Sequence, residues 1–562
     1  MIPTPWVALA VCAVVAGCAE SARQFPATKA PASYPAPASG VEAPDEMRFT
    51  SGSANAATPA DPKFLEQTEL EGKAGTFAMR LKPAGAAPGL DERVPESTSG
   101  EGYKPIVEPG YIATAQENTS TFSIDVDTAS YSNMRRFLNA GTLPPVDAVR
   151  IEELLNYFQY EEMPPPQEGP FAAHLEIAGC PWNPAHRLAK IGLKGREIAP
   201  AARPQCNLVF LIDVSGSMNH PKKLPLVKES LKLLVEQLGE ADHIALTVYA
   251  GAAGVVLPPT SASRKQDIFK ALDRLHAGGS TNGAGGIQLA YQVAADNKIP
   301  GGANRVILCT DGDFNVGITR DDDLEHLIAR EAKRGVFLTV LGFGMGNLQD
   351  AKLERLADRG NGHYGYIDTI AEAKKALVEE LSGTLVTIAK DVKIQVEFDK
   401  QHIAGYRLIG YENRRLDNQD FANDAKDAGE IGAGHSVTAL YELIPQQQAV
   451  PANADIMKLR LRYKAPDADR SDLAEFVGRD TGRTVDAASN DYRFASSVAM
   501  AGMLLRNSEY RGTANWETVL RMANQSRGSD ARGQRAEFIT LMEQAQRLTN
   551  PTGSTLIPLS AR

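Results

Sequence analysis

The rhythm of apolar positions changes several times along the chain, and each change marks a segment. Residues 19–117 have no apolar periodicity and are rich in Pro, Ala, Ser and Gly, which predicts a disordered tether. As a flexible chain it would reach roughly 50 Å. Residues 118–200 form a mixed segment. Thr121–Asp127 alternates like a strand, and Tyr131–Leu138 reads as a helix. Val149–Tyr160 follows as a second helix with Ile151, Leu154, Leu155 and Phe158 on one face, stopped by Pro164-Pro165-Pro166. His174–Ala178 and Arg187–Leu193 then alternate as antiparallel strands with one wet face.

From 201 to 384 strands and helices take turns. The strands are continuous apolar runs, such as Leu208–Ile212, Val306-Ile307-Leu308 and Phe337–Leu341, as a parallel sheet covered on both faces requires. This predicts an α/β doubly wound domain, which binds ligands at the carboxyl ends of its strands. Residues 385–480 return to alternation, in Val392–Phe398, Tyr406–Tyr411, Val437–Ile444 and Met457–Tyr463, and predict an antiparallel β unit. Residues 481–562 turn helical, with Phe494, Val498, Met500, Met503 and Leu504 along one helix and two more at Trp516–Met522 and Phe538–Leu548. Chain ends of an inserted domain lie close together. The strands at 171–198 and 385–480 are therefore expected to form one β-sandwich into which the α/β domain is inserted.

Composition adds limits. With 43% hydrophobic and 23% charged residues over 562 positions the chain has an ordinary globular make-up of several domains. A net charge of −10 and the lack of a Lys/Arg patch argue against nucleic acid as a partner. Cysteines are too few for a disulfide framework; Cys180 with Cys206 is the one pairing worth considering, and Cys309 reads as a small core residue.

Candidate chemistry gathers at strand ends. Asp213-Val214-Ser215-Gly216-Ser217 ends an apolar strand with a carboxylate and two hydroxyls, donors suited to a hard cation. Gly278–Gly283 offers Thr281 ahead of a helix, and Asp311 ends another buried strand. Together Asp213, Ser215, Ser217, Thr281 and Asp311 resemble the metal-ion-dependent adhesion site of von Willebrand factor type A domains. The resemblance implies that Ser215, Ser217 and Thr281 contact the ion, that Asp213 and Asp311 hold its waters, and that the ion is Mg²⁺, with Mn²⁺ or Ca²⁺ as alternatives. It also implies a protein partner offering an Asp or Glu carboxylate. Phe122–Tyr131 and Gly429–Tyr441 further resemble the YfbK-like bacterial lipoproteins that carry this domain.

The first eighteen residues are a separate object. Trp6–Ala16 is a short apolar run ending in Val15-Ala16-Gly17-Cys18, similar to a lipoprotein signal, although Met1–Pro5 contains no Lys or Arg. By that resemblance Cys18 is lipidated and the protein is anchored in the cell envelope, in the outer membrane facing the periplasm if the host has one. The expected function is metal-dependent protein binding rather than catalysis. The competing readings are a metal-dependent hydrolase and a scaffold that ignores the metal. A hydrolase needs a base, for which Asp313, His220 and His276 are the candidates beyond the two aspartates; both histidines read as solvated surface residues. Three other motifs have plainer readings: Asp125-Val126-Asp127-Thr128 as a helix cap, Gly429–Gly434 as a turn, and Asp321-Asp322-Asp323 as an acidic first helical turn.

Overall fold

The computed structural model describes residues 101–550 except 251–252, 279–282, 313–320, 448–450 and 452. Cys18 and Thr281 therefore lie outside the described residues. The long apolar strands build a six-stranded central sheet in the order Tyr364–Ile367, Phe337–Phe343, Ala303–Thr310, Cys206–Asp213, His243–Tyr249, Ala253–Ser261. Neighbours are parallel except the last pair, because the link from Tyr249 to Ala253 is too short for a crossover. Cys206–Asp213 is buried along its whole length, which is why it carries no alternation.

Two antiparallel sheets flank this domain. One runs Ile112–Ala113, Ile403–Ile409, Ser436–Pro445, Arg187–Gly195, Phe171–Gly179. The other runs Arg415–Leu416, Thr119–Ser123, Thr387–Phe398, Ala454–Lys464, Ser471–Asp480. They face each other as a sandwich, with Phe398 of one stacked on Tyr406 of the other at 4.4 Å between ring centroids and Tyr441 edge-on at 5.2 Å. Arg187–Gly195, from before the α/β domain, pairs with Ser436–Pro445, from after it. The α/β domain is thus inserted between two halves of one β-sandwich.

The C-terminal helices Asn490–Leu505, Trp516–Gln525 and Gln534–Thr549 close on the early helices Ala129–Asn139 and Ile151–Asn156. Phe158, Phe494 and Phe538 form an edge-to-face trio with centroids 4.9 to 5.6 Å apart. Ser489 and Asn515 cap two of the late helices by accepting the N–H groups of Tyr492 and Thr518.

Arginines join the flanks to the α/β domain. Arg135 pairs with Asp368 and with Glu372 (2.8 Å), and also bonds the Tyr157 hydroxyl (2.9 Å) and Glu537 (3.2 Å). Arg150 joins Glu153 (2.7 Å) to Asp350 and Glu354 (3.0 Å). Arg414 reaches Asp125 (3.1 Å), Asp127 (3.2 Å) and Asp358 (2.7 Å).

Four expectations change. Residues 101–117 belong to the body rather than to the tether. Glu101 pairs with Arg136 (2.8 Å), and Ile112–Ala113 adds a strand to Ile403–Ile409. Such short stretches are held by distant partners and leave no periodic trace. Cys180 and Cys206 are both free, and they sit in different core clusters. Asp125 and Asp127 do not cap the helix. Thr128 occupies the cap position without a side-chain bond, while Asp127 accepts the N–H of Tyr364 (2.8 Å) and both carboxylates face Arg414. The edge strand Ser471–Asp480, with Leu473 and Val477 half exposed, has no counterpart among the predicted strands; its outward apolar positions blur the alternation.

Replacing Arg135 with Met leaves Asp368 buried without its cation and strips Glu372 of one of its two, Lys375 remaining nearby. The free energy of unfolding in urea is expected to fall by about 3–5 kcal/mol. Arg264→Met, which removes an exposed pair with Asp267, is expected to change it by no more than about 0.5 kcal/mol.

Candidate metal centre

The strand Cys206–Asp213 stops at the carboxyl edge of the central sheet, and a short turn, Gly216–Met218, follows. Met218 is fully buried and pins the turn to the core, while Ser217 stays exposed. The turn thereby presents two hydroxyls: Ser215 Oγ and Ser217 Oγ stand 3.0 Å apart. Adjacent oxygens around an octahedral Mg²⁺, each about 2.1 Å from the ion, are separated by about 3 Å. The pair therefore has the spacing of neighbouring ligands as well as that of a hydrogen bond. Among the described residues no group of three or more His, Cys, Asp or Glu is placed to hold a metal, so a site here draws on hydroxyls. This donor set of hydroxyl and carboxylate oxygens suits Mg²⁺ and excludes a soft-ligand site.

Asp213 is fully buried, and both of its oxygens are engaged. Oδ1 accepts the N–H of Ser215 (2.8 Å), and Oδ2 accepts the hydroxyl of Tyr249 (2.9 Å). Burial pushes its carboxyl up to about 6, with nearby Asp311 acting in the same direction and the bonds from Ser215 and Tyr249 opposing. Asp311 is equally buried, just beyond Ala303–Thr310, the neighbouring strand. Burial acts to raise its carboxyl too. The Lys223 ammonium at 2.9 Å and the Ser217 hydroxyl outweigh burial and hold it below the usual range. The two aspartates are thus driven apart electrostatically although they sit at equivalent strand ends.

The neighbouring backbone is fitted to this arrangement. Gly312 adopts φ +103°, and a Cβ there would stand 2.6 Å from Leu348 Cα, so only glycine fits beside Asp311. Gly278 donates its N–H to Val214 O (2.8 Å), tying the segment just ahead of residues 279–282 to the Asp213 turn. The following helix, Gly283–Asp296, packs Gly286 closely against Tyr249.

Of the predicted ligands, the structure brings together Asp213, Ser215, Ser217 and Asp311. Sequence reasoning did not single out Tyr249, Lys223 and Asn347. Tyr249 has a discoverable signal, since it ends the strand paired in register with Asp213. Lys223, in the loop before helix Leu224–Gln237, and Asn347, beyond a different strand, have none. His220 is exposed and its Nδ1 accepts the N–H of Lys222 (3.2 Å). His276 is exposed as well, with Nδ1 2.6 Å from the carbonyl of Arg274.

Comparison with known proteins shows what the chain is similar to. The von Willebrand factor type A domain pattern matches residues 207–380. Residues 97–190 match a pattern described as von Willebrand factor, and residues 383–548 match one described as uncharacterized protein YfbK, C-terminal. The chain is 44% identical over 459 residues to the uncharacterized protein YfbK of Escherichia coli (strain K12), covering 78% of this chain and 79% of that protein. It is 25% identical over 355 residues to the uncharacterized protein sll0103 of Synechocystis sp., covering 61% and 80% respectively. Among solved structures, a von Willebrand factor type A protein from Catenulispora acidiphila aligns with 18% identity and a TM-score of 0.39, over 67% of this chain and 91% of that one.

Tyr249→Phe removes the hydroxyl that orients Asp213. It is expected to weaken Mg²⁺ or Mn²⁺ binding, measured by calorimetry, by about tenfold or more. An unchanged affinity would show that Asp213 is positioned without it.

Proposed function

The chain belongs to the YfbK-like family of von Willebrand factor type A domain proteins, and from that premise we propose that it is a metal-dependent protein-binding module of the cell envelope. Domains of this type generally mediate metal-dependent protein interactions, and often bind a divalent ion at the adhesion site. The finer reading is that this chain's ion is Mg²⁺ and that it captures an Asp or Glu carboxylate of a protein partner. The observation that carries this reading is the exposed hydroxyl of Ser217, 3.0 Å from that of Ser215 and backed by two buried carboxylates. A bound divalent ion would supply an electrophilic position that an incoming carboxylate can fill. Ser215 and Ser217 would hold that ion at the surface, while Asp213 and Asp311 balance its charge from below.

Binding rather than hydrolysis is favoured by the surroundings of the two histidines, each occupied with its own loop. The lipobox-like ending at Cys18 supports a lipid anchor, and with it a place on an envelope membrane. Among the described residues no helix is long and apolar enough to cross a membrane.

Asp311→Ala tests this. Full-length wild type immobilised on beads is expected to retain a specific envelope protein in Mg²⁺ and release it in EDTA. The variant is expected to retain none and to show no heat of Mg²⁺ binding. Capture that is indifferent to both EDTA and the substitution would sink the proposal in favour of a scaffold.

A further inference from the structure

The candidate metal centre holds a charge that its aspartates and hydroxyls do not account for. Lys223 places its ammonium 2.9 Å from Asp311 Oδ2 and 3.2 Å from Asn347 Oδ1, with only 9% of its side chain exposed. The stem is held as firmly as the tip. It lies across Gly344, which adopts φ +81°, and a Cβ at that position would stand 2.4 Å from Lys223 Cγ and Cε. A lysine so enclosed is a fixed part of the site, unlike one that extends its ammonium into water.

Counting formal charges gives this residue a function. Asp213 and Asp311 contribute two negative charges and Lys223 one positive, so these three groups together carry one negative charge. A divalent cation turns that sum into one positive charge. Without the lysine the same loading would reach neutrality. An unmatched charge beside three enclosed ionic side chains is costly until a counter-charge arrives from the open side, and a carboxylate supplies one.

We infer that Lys223 makes retention of the divalent ion depend on an anionic ligand, and so selects a carboxylate-bearing partner over a neutral one. This rests on the metal-centre reading above and adds a property to it. The lysine weakens the ion's hold when it is alone and strengthens the complex of ion and carboxylate. Because coupling between two ligands is reciprocal, the carboxylate binds poorly without the ion and the ion binds poorly without the carboxylate. The site thereby holds metal more tightly when a partner is present than when it is free.

The test is a calorimetric titration of Mn²⁺ into the full-length chain, in sodium chloride and in sodium acetate of equal ionic strength, acetate being the carboxylate probe. For wild type the affinity for Mn²⁺ is expected to rise on the order of tenfold in acetate. Lys223→Met is expected to bind Mn²⁺ on the order of tenfold more tightly than wild type in chloride, and to gain nothing from acetate. Lys223→Arg, which keeps the charge, is expected to retain the acetate gain. Melting curves in EDTA verify that each variant is folded, and Lys223→Gln replaces the Met variant if that one is not. A charge-free variant that binds Mn²⁺ no more tightly than wild type in chloride, or keeps the acetate gain, overturns the inference while leaving the metal centre standing. Wild type that binds no Mn²⁺ in either salt overturns both.

Discussion

Three guanidinium groups, two buried and the third largely enclosed, fix the α/β domain in its frame. Arg135 and Arg150 come from the N-terminal flank and Arg414 from the β-sandwich. Their partners Asp350, Glu354, Asp358, Asp368 and Glu372 are all carried by one edge of the domain, around helix Asp350–Arg359 and strand Tyr364–Ile367. Guanidinium suits this role because its planar fork bonds several carboxylates at once and stays charged when buried. Carboxylates outnumber the arginines at this junction. Burial pushes Asp127 and Glu354 upward, with like charges adding to the effect and Arg414 opposing it. The junction is therefore held by specific geometry, whereas an apolar contact would tolerate sliding.

Insertion imposes a second constraint. Arg187–Gly195 can pair with Ser436–Pro445 only if the intervening domain returns its chain to where it left. The core reflects this. Leu208 and Phe210 of the central sheet belong to the same continuous apolar cluster as Val396 and Leu459 of the sandwich. The strand ends that carry Asp213 and Asp311 are thus held from behind by the whole body, and a site made of short side chains acquires fixed spacing without a rigid loop of its own.

How much of this was legible in the sequence depends on the range of the interaction. Asp213, Ser215 and Ser217 lie within five positions at the end of an apolar run, and Asp311 ends another, so local pattern suffices to find them. The two sheets and the late helices are visible through their periodicity. The partners of those helices are not: Arg135 and Glu537 meet across 402 positions, with no mark on either. Ile112–Ala113 is too short to alternate, and Ser471–Asp480 mixes apolar and charged positions on its exposed face. Lys223 is one lysine among 59 basic residues, and only its enclosure beside Asp311 distinguishes it.

The contacts of residues 101 and 102 reach as far as the metal centre. Glu101 accepts the N–H of Gly346 (2.7 Å), and Gly102 donates its own N–H to Leu348 O (2.9 Å). These contacts grip the loop that contains Asn347, the residue bonded to Lys223, and whose backbone crowds Gly312 beside Asp311. Glu101 also pairs with Arg136 of helix Ala129–Asn139, so one side chain links that helix to the loop. From Gly346 the chain of contacts runs through the adjacent Asn347 to Lys223 and on to Asp311, so two residues at the start of the folded body help to set the wall of the metal centre.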